Sequence, residues 1–402
     1  MKLIALPLNV IIFIGVIKAQ LIPNQYIIQF DSDAKANSFT SNIKSIQSLI
    51  ASSNNANSIG IKSSITNKIL HTYSPSTLNG ISAQLDDSTL ERVKDLPYIA
   101  HIEQDQIVKS TNIQQKAGWN LARISQHSQV GESPYAYHYP KNAGEGVNIY
   151  LLDTGINTSH NDFNGSATWG TTTFPNSTNA DLHGHGTHCA GIAIGREYGV
   201  AKNSKVIAVK VLGDDGVGSV SACIEGVNWV IKNKSGVKGN VASMSLAGGY
   251  SKAFNKAVNN AASQGIIIIA GAGNDFEDAC NYSPGSAEKA ITVGAIDSED
   301  NVASFSNYGK CVDIHAPGVD IKSAWIGSNK SYRYLSGTSM ATPHIAGIAA
   351  TLLGQGVPAE IVESKLKAIG TKGKILGLRN DTVNLIGIME LVERLLRGLL
   401  YV

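Results

Sequence analysis

From residue 147 onward the chain repeatedly sets a short, unbroken apolar run beside a longer segment of mixed polarity. The runs at 147–152, 206–212, 241–246, 266–270 and 290–294 are rich in Val, Ile, Leu and Ala. Uniform apolarity over so few residues predicts strands buried on both faces. Between them, 185–195, 219–233 and 252–263 read as helices. Such alternation predicts an α/β domain of three layers, a mostly parallel sheet covered by helices on both faces. Ligand sites in such sheets lie at the carboxyl ends of strands.

The first hundred residues follow another pattern. Strands are expected at 26–30, 80–85 and 100–105, helices at 39–50 and 88–96, and a further strand within 61–73, with an Asn/Ser-rich loop at 52–57. That order, β-α-β-β-α-β, predicts a small α+β ferredoxin-like domain. Ahead of it, Met1 and Lys2 precede an apolar stretch at 3–17, broken by Pro7 and Asn9, and Ala19 offers a cleavage point. A spanning helix needs about 20 apolar residues, so 1–19 reads as a signal peptide and the protein as one entering the secretory pathway. At the other end, Ile388, Leu391, Val392, Leu395, Leu396 and Leu399 form a helical apolar stripe opposed by Glu390, Glu393, Arg394 and Arg397. The 388–402 stretch is expected to be an amphipathic extension docked on the domain, or else an interfacial anchor.

Composition narrows the function. With 402 residues, 43% of them hydrophobic, the chain can bury a large core, and 16% charged residues with a net charge of +2 give no electrostatic basis for nucleic-acid binding. Forty glycines without a fixed period exclude collagen-like and low-complexity readings. Asn-x-Ser/Thr motifs at Asn157, Asn164, Asn176, Asn233, Asn281, Asn329 and Asn380 accord with secretion.

Four short segments carry candidate chemistry. The 147–152 run leads into Asp153-Thr154-Gly155, a carboxylate at a buried strand end. His183, His185 and His188 lie among glycines at an expected helix start. The 266–270 run ends in Gly271-Ala272-Gly273-Asn274, a turn presenting one amide, and Ser339 stands between a glycine turn and a small-residue helix start. Taken singly, each has an ordinary reading: Asp153 or Asn274 as a turn residue, the histidines as a metal site, Ser339 as a helix cap. Together they supply a hydroxyl nucleophile, a base, an orienting carboxylate and an oxyanion donor.

In that order, Asp153-Thr154-Gly155, His185-Gly186-Thr187-His188 and Gly337-Thr338-Ser339-Met340-Ala341 resemble the three catalytic boxes of the subtilisin-like serine proteases, in particular the proteinase K and cerevisin branch. The segments 243–249, 270–274, 281–284 and 305–309 resemble further stretches of that family. The resemblance implies a subtilisin-like fold and a serine endopeptidase acting on protein and peptide substrates with broad specificity. Ser339 would be the nucleophile, His185 the base, Asp153 its orienter and Asn274 the oxyanion donor. Gly216, Val217 and Gly218 on one side, and Ser245, Leu246, Ala247 and Gly248 on the other, would pair with an extended peptide. Relatives often carry glycine at the Ala247 position, so its methyl either narrows the primary pocket or faces away from it.

The same resemblance implies an inhibitor and chaperone propeptide at 20–110, a peptidase domain at 111–387, and self-cleavage a few residues before Trp119. It implies a structural Ca²⁺ bound by Asp313 with main-chain oxygens of Glu288 and Ala290, and a disulfide between Cys280 and Cys311, leaving Cys189 and Cys223 as buried thiols or, alternatively, paired with each other. The protein is expected to act as a monomer, with its own propeptide as intramolecular inhibitor, outside the cell or in a vacuolar lumen. The other reading is a homologue without activity that serves as a binding module.

Overall fold

The computed structural model describes residues 21–31, 36–57, 65–106, 111–175 and 177–389. The expected signal segment, and the 388–402 extension beyond Met389, lie outside the described residues. The described residues up to 106 and those from 111 belong to two compact units.

The first unit runs β1 (Leu21–Phe30), α1 (Ala36–Asn57), β2 (Lys68–Tyr73), β3 (Gly80–Gln84), α2 (Asp87–Lys94) and β4 (Ile99–Gln106). Its antiparallel sheet has the order β2-β3-β1-β4, so the ferredoxin-like arrangement is borne out. Ile28, Phe30, Ile81, Ala83 and Leu85 pack on Ile46, Ile50, Leu90 and Val93 of the two helices. One expectation fails here: 52–57 is not a loop but the last turns of α1. Polar partners from elsewhere hold this stretch helical despite its composition. Asn54 exchanges hydrogen bonds with the backbone of Asn67 at 2.9 and 3.1 Å, and Arg92 donates to Ser53 Oγ at 2.7 Å.

The second unit opens with the antiparallel pair β5 (Thr111–Ala117) and β6 (Tyr135–Pro140), joined through the short α3 (Trp119–Arg123). There follow β7 (Val147–Asp153), β8 (Ala167–Thr172), α4 (His185–Ile194), β9 (Lys205–Lys210), α5 (Val220–Asn233), β10 (Gly239–Met244), β11 (Gly248–Gly249), α6 (Lys252–Ala262) and β12 (Ile266–Gly271). The remainder comprises β13 (Tyr282–Ser283), β14 (Ala290–Ile296), β15 (Ile314–Pro317), β16 (Ile321–Ala324), β17 (Tyr332–Leu335), α7 (Thr338–Gly354), α8 (Val362–Ile369), β18 (Thr371–Lys372) and β19 (Leu385–Ile386). Nine strands form one sheet, ordered β18-β19-β15-β14-β12-β10-β7-β9-β8 and parallel throughout except for β18 against β19.

Alternation along each strand builds the three layers. Ile149, Leu151, Val241 and Ile269 face α4 and α7, while Tyr150, Leu152, Ala242 and Ile268 face α5 and α6. α7 is buried along almost its whole length, which its run of Ala, Gly and Ile permits. Arg123 is wholly buried and grips Asp300 through Nε and Nη2, at 2.7 and 3.2 Å. Cys280 and Cys311 form a disulfide closing a 31-residue separation, for which chain entropy gives about 3–4 kcal/mol. Cys189 and Cys223 are both free and buried.

Candidate active site

Asp153 ends the central strand β7 and is fully buried. A carboxylate can only accept, so its Oδ1 receives both the Thr154 amide and His185 Nδ1–H, each at 2.7 Å. His185 opens α4, whose N-cap, Gly184, has no side chain to satisfy the first-turn amides. Asp181 does so instead. Its Oδ1 accepts from Gly184 N at 2.8 Å and Thr154 Oγ1 at 2.9 Å, and its Oδ2 from Thr187 N and Oγ1 at 2.9 and 2.6 Å. Gly186 allows the close seating of this turn, since a Cβ there would stand 2.1 Å from the Gly155 carbonyl oxygen.

Burial by itself disfavours the charged imidazole of His185. The Asp153 carboxylate beside it outweighs that, and the His185 pKa is raised well above 6.5. His188, one turn on, points elsewhere: its Nε2 donates to the carbonyls of Ile321 and Arg333, both at 3.0 Å, and burial pushes its pKa down to about 4. The three histidines therefore do not converge on a metal. Cys189 packs beneath the site with its Sγ donating to the Ser339 carbonyl at 3.3 Å, and burial raises its thiol pKa, so it stays protonated.

Ser339 lies in the first turn of α7, where backbone amides lack intrahelical acceptors. Its hydroxyl donates to the Ser245 carbonyl at 3.2 Å, and Ser245 Oγ returns a bond to the Ser339 carbonyl at 2.9 Å. Asn274 follows β12. Its Oδ1 accepts from Thr338 N and Oγ1, at 2.8 and 3.0 Å, which leaves the amide Nδ2 as the outward donor. Gly273 just before it has φ of 104°, and a Cβ would meet Asn307 Nδ2 at 2.3 Å. The buried Asn307 shapes this loop, donating to Ala272 O at 3.0 Å and accepting from the amides of Asp275 and Glu277 at 3.0 and 2.9 Å.

Two cavities meet at His183 and His185. The first, about 430 Å³, lies between Gly216–Val217–Gly218–Ser219 and Ser245–Leu246–Ala247–Gly248. Val217 and Ala247 are exposed there, and Gly248 has open space above it. The second, about 390 Å³, holds Asn274, Ser339, Trp325 and Arg333. The structure thus gathers Asp153, His185, Asn274, Ser339 and both expected edge segments around one cleft.

At the expected calcium position the one side-chain ligand, Asp313, is already engaged. Ca²⁺ takes six to eight oxygens, in the usual range of about 6–8. Here Asp313 Oδ1 already accepts from the Lys367 ammonium at 3.0 Å and Oδ2 from the Thr292 amide at 3.0 Å. Lys367 also reaches Glu363 at 2.6 Å, so a protein cation links α8 to the β14–β15 edge. We expect EDTA to leave the melting temperature unchanged, whereas Lys367→Met lowers it; a chelator-induced drop in a thermal scan would restore the ion.

Asp181, Asn307, Trp325, Arg333 and Lys367 play parts that sequence reasoning did not assign. Only Asn307 carried a signal, as part of the 305–309 stretch.

Comparison with known proteins places the whole arrangement. Residues 144–369 match the Subtilase family, and residues 25–111 match Peptidase inhibitor I9. Subtilisin-like protease 1 of Pseudogymnoascus destructans is 42% identical over 371 residues, covering 91% of this chain and 89% of its own length. Alkaline protease 2 of Aspergillus fumigatus is 42% identical over 337 residues, 77% of this chain and 68% of its own. A solved cold-adapted subtilisin-like serine proteinase superposes with a TM-score of 0.65 at 41% identity, covering 68% of this chain and 99% of that one. By its profile, its relatives and its fold, this chain belongs to the subtilase family of serine endopeptidases, preceded by a segment of the inhibitor I9 type.

Proposed function

We propose that the protein hydrolyses peptide bonds of proteins through an acyl-enzyme on Ser339, with His185 as general base and acid and Asp153 fixing the imidazole. The observation that carries this reading is the 2.7 Å bond from His185 Nδ1–H to Asp153, which turns Nε2 toward the cavity that also holds Ser339 and Asn274. In the reaction the Ser339 hydroxyl exchanges the Ser245 carbonyl for His185 Nε2; such bonds commonly tighten only when substrate binds. The serine proton passes to Nε2 as Oγ attacks the scissile carbonyl, and His185 returns it to the departing amine. Asn274 Nδ2 and the Ser339 amide hydrogen-bond the oxyanion. Turnover of a chromogenic peptide, abolished by a sulfonyl fluoride or organofluorophosphate, tests the assignment.

Substrate would lie as an added strand between the two edge segments of the first cavity, read chiefly through its backbone, which suits broad specificity. Asn274→Ala should lower kcat by about 10²–10³-fold with little change in KM, because the amide meets charge that exists only in the transition state. Equal losses in kcat for this variant and for one altered far from the cleft would remove Asn274 from the mechanism.

We assign residues 1–19 to a signal peptide, 20–110 to a propeptide that occupies the cleft until cut, 111–387 to the peptidase and 388–402 to an extension. The inhibitor I9 match supports the second of these and the secretory sequence features the first. Among the described residues no helix is long and apolar enough to cross a membrane. Secretion from the cell is the fate we favour over a vacuolar one.

A further inference from the structure

The second cavity shares only His183 and His185 with the first. If the acyl half of a peptide pairs with the edge segments, the leaving half must pass Ser339 into this second space. The inference below rests on that reading of the cleft. Apart from histidines, Arg333 is the one charged residue lining the second cavity, and Asp215 the one lining the first. Charge therefore changes sign along the cleft.

Arg333 is held in place as well as charged. Its guanidinium stacks on Trp325, 4.7 Å from the ring centroid, a contact that fixes the cation and leaves its N–H edge outward. Trp325 is itself wedged against α4: a Cβ on Gly184 would lie 2.6 Å from its ring, and His188 packs on it at 6.2 Å between centroids. The backbone of Arg333 pairs with Ser323 across the β16–β17 hairpin and accepts the bond from His188 Nε2. Among the described residues no carboxylate lies within 4.0 Å of its guanidinium. A preplaced, uncompensated fork of donors facing a substrate channel is suited to a carboxylate.

The geometry points to Arg333 as a specificity residue that favours Asp or Glu in the first two positions after the scissile bond and disfavours Lys or Arg there. The test uses internally quenched peptides with one fixed acyl half and Glu or Lys at those positions, and reads the ratio of their kcat/KM values. For the wild type the Glu/Lys ratio should be about fivefold, the scale of one exposed pair plus the matching repulsion. It should fall toward one in 1 M NaCl, where the screening length is about 3 Å. Arg333→Glu should invert the ratio. A wild-type ratio near one at low salt, or a preference that persists in Arg333→Glu, overturns the inference while leaving the peptidase reading intact. If the variant does not fold, the wild-type salt series decides alone: a salt-independent ratio refutes the charge mechanism. Failure of the wild type to cleave any of the peptides overturns the peptidase reading and this one with it.

Discussion

Ser339→Ala is expected to abolish peptide hydrolysis, with kcat falling by about a millionfold, the scale on which loss of the nucleophile acts in such triads. What remains should be a small acceleration over water from the oxyanion donors and binding. The substitution removes one oxygen whose only donated bond is to the Ser245 carbonyl, and helix α7 keeps its other anchors, among them the Asn274 to Thr338 bonds. The fold should therefore persist, as circular dichroism and an unchanged melting temperature would show. The same variant tests maturation. If the propeptide is removed by the enzyme's own serine, Ser339→Ala produced in the same host should retain it at full length. A variant still cut near residue 111 would assign that cleavage to another protease.

Asp153→Asn comes second, and its signature is as much in pH as in rate. Because the Asp153 carboxylate raises the His185 pKa well above 6.5, the imidazole keeps its proton to higher pH than a free histidine does, and a protonated imidazole cannot act as base. For the native protein, kcat/KM should climb as pH rises through that raised value. Removing the charge lets burial prevail, so the limb moves to lower pH in the variant. The maximum itself should drop by about 10⁴-fold, since the amide allows the wrong tautomer and no longer stabilises the imidazolium. Steady-state rates across pH check both parts. An acid limb that stays where it was would mean that Asp153 does not set the charge of His185.

The residues proposed for the chemistry were legible in sequence because each is presented by a local device: a strand end, a helix start, a glycine turn. Asp153, His185, Asn274 and Ser339 could be named as candidates from their own segments, and their joint occurrence in the family's order assigned the roles. The residues that hold them could not be so named. Asp181 caps α4 from outside the helix, and Asn307 reaches the Asn274 loop from a separate loop. Nothing in their neighbouring sequence indicates those partners. The fold followed the same division. Apolar runs placed β7, β9, β10, β12 and β14 within a residue or two but did not mark β8, β15 or β19, and the tail of α1 was misread because Asn67 and Arg92, which hold it, lie elsewhere along the chain. The partners of Asp313 were hidden in the same way. Lys367 sits on a helix far along the chain, and only the folded protein brings its ammonium to Asp313.

The strand order has one more consequence, for the rate of folding. The central neighbours β12, β10, β7 and β9 are all parallel, so every adjacent pair must wait for a crossover segment to close before its bonds can form. Loop entropy is then spent ahead of any gain, and such topologies cross high barriers slowly. In the first unit β2 and β3 pair as near neighbours along the chain, while β1 meets β3 and β4 only across the intervening elements. Once crossed, that barrier stands in the other direction and guards the folded domain against unfolding in the presence of its own activity.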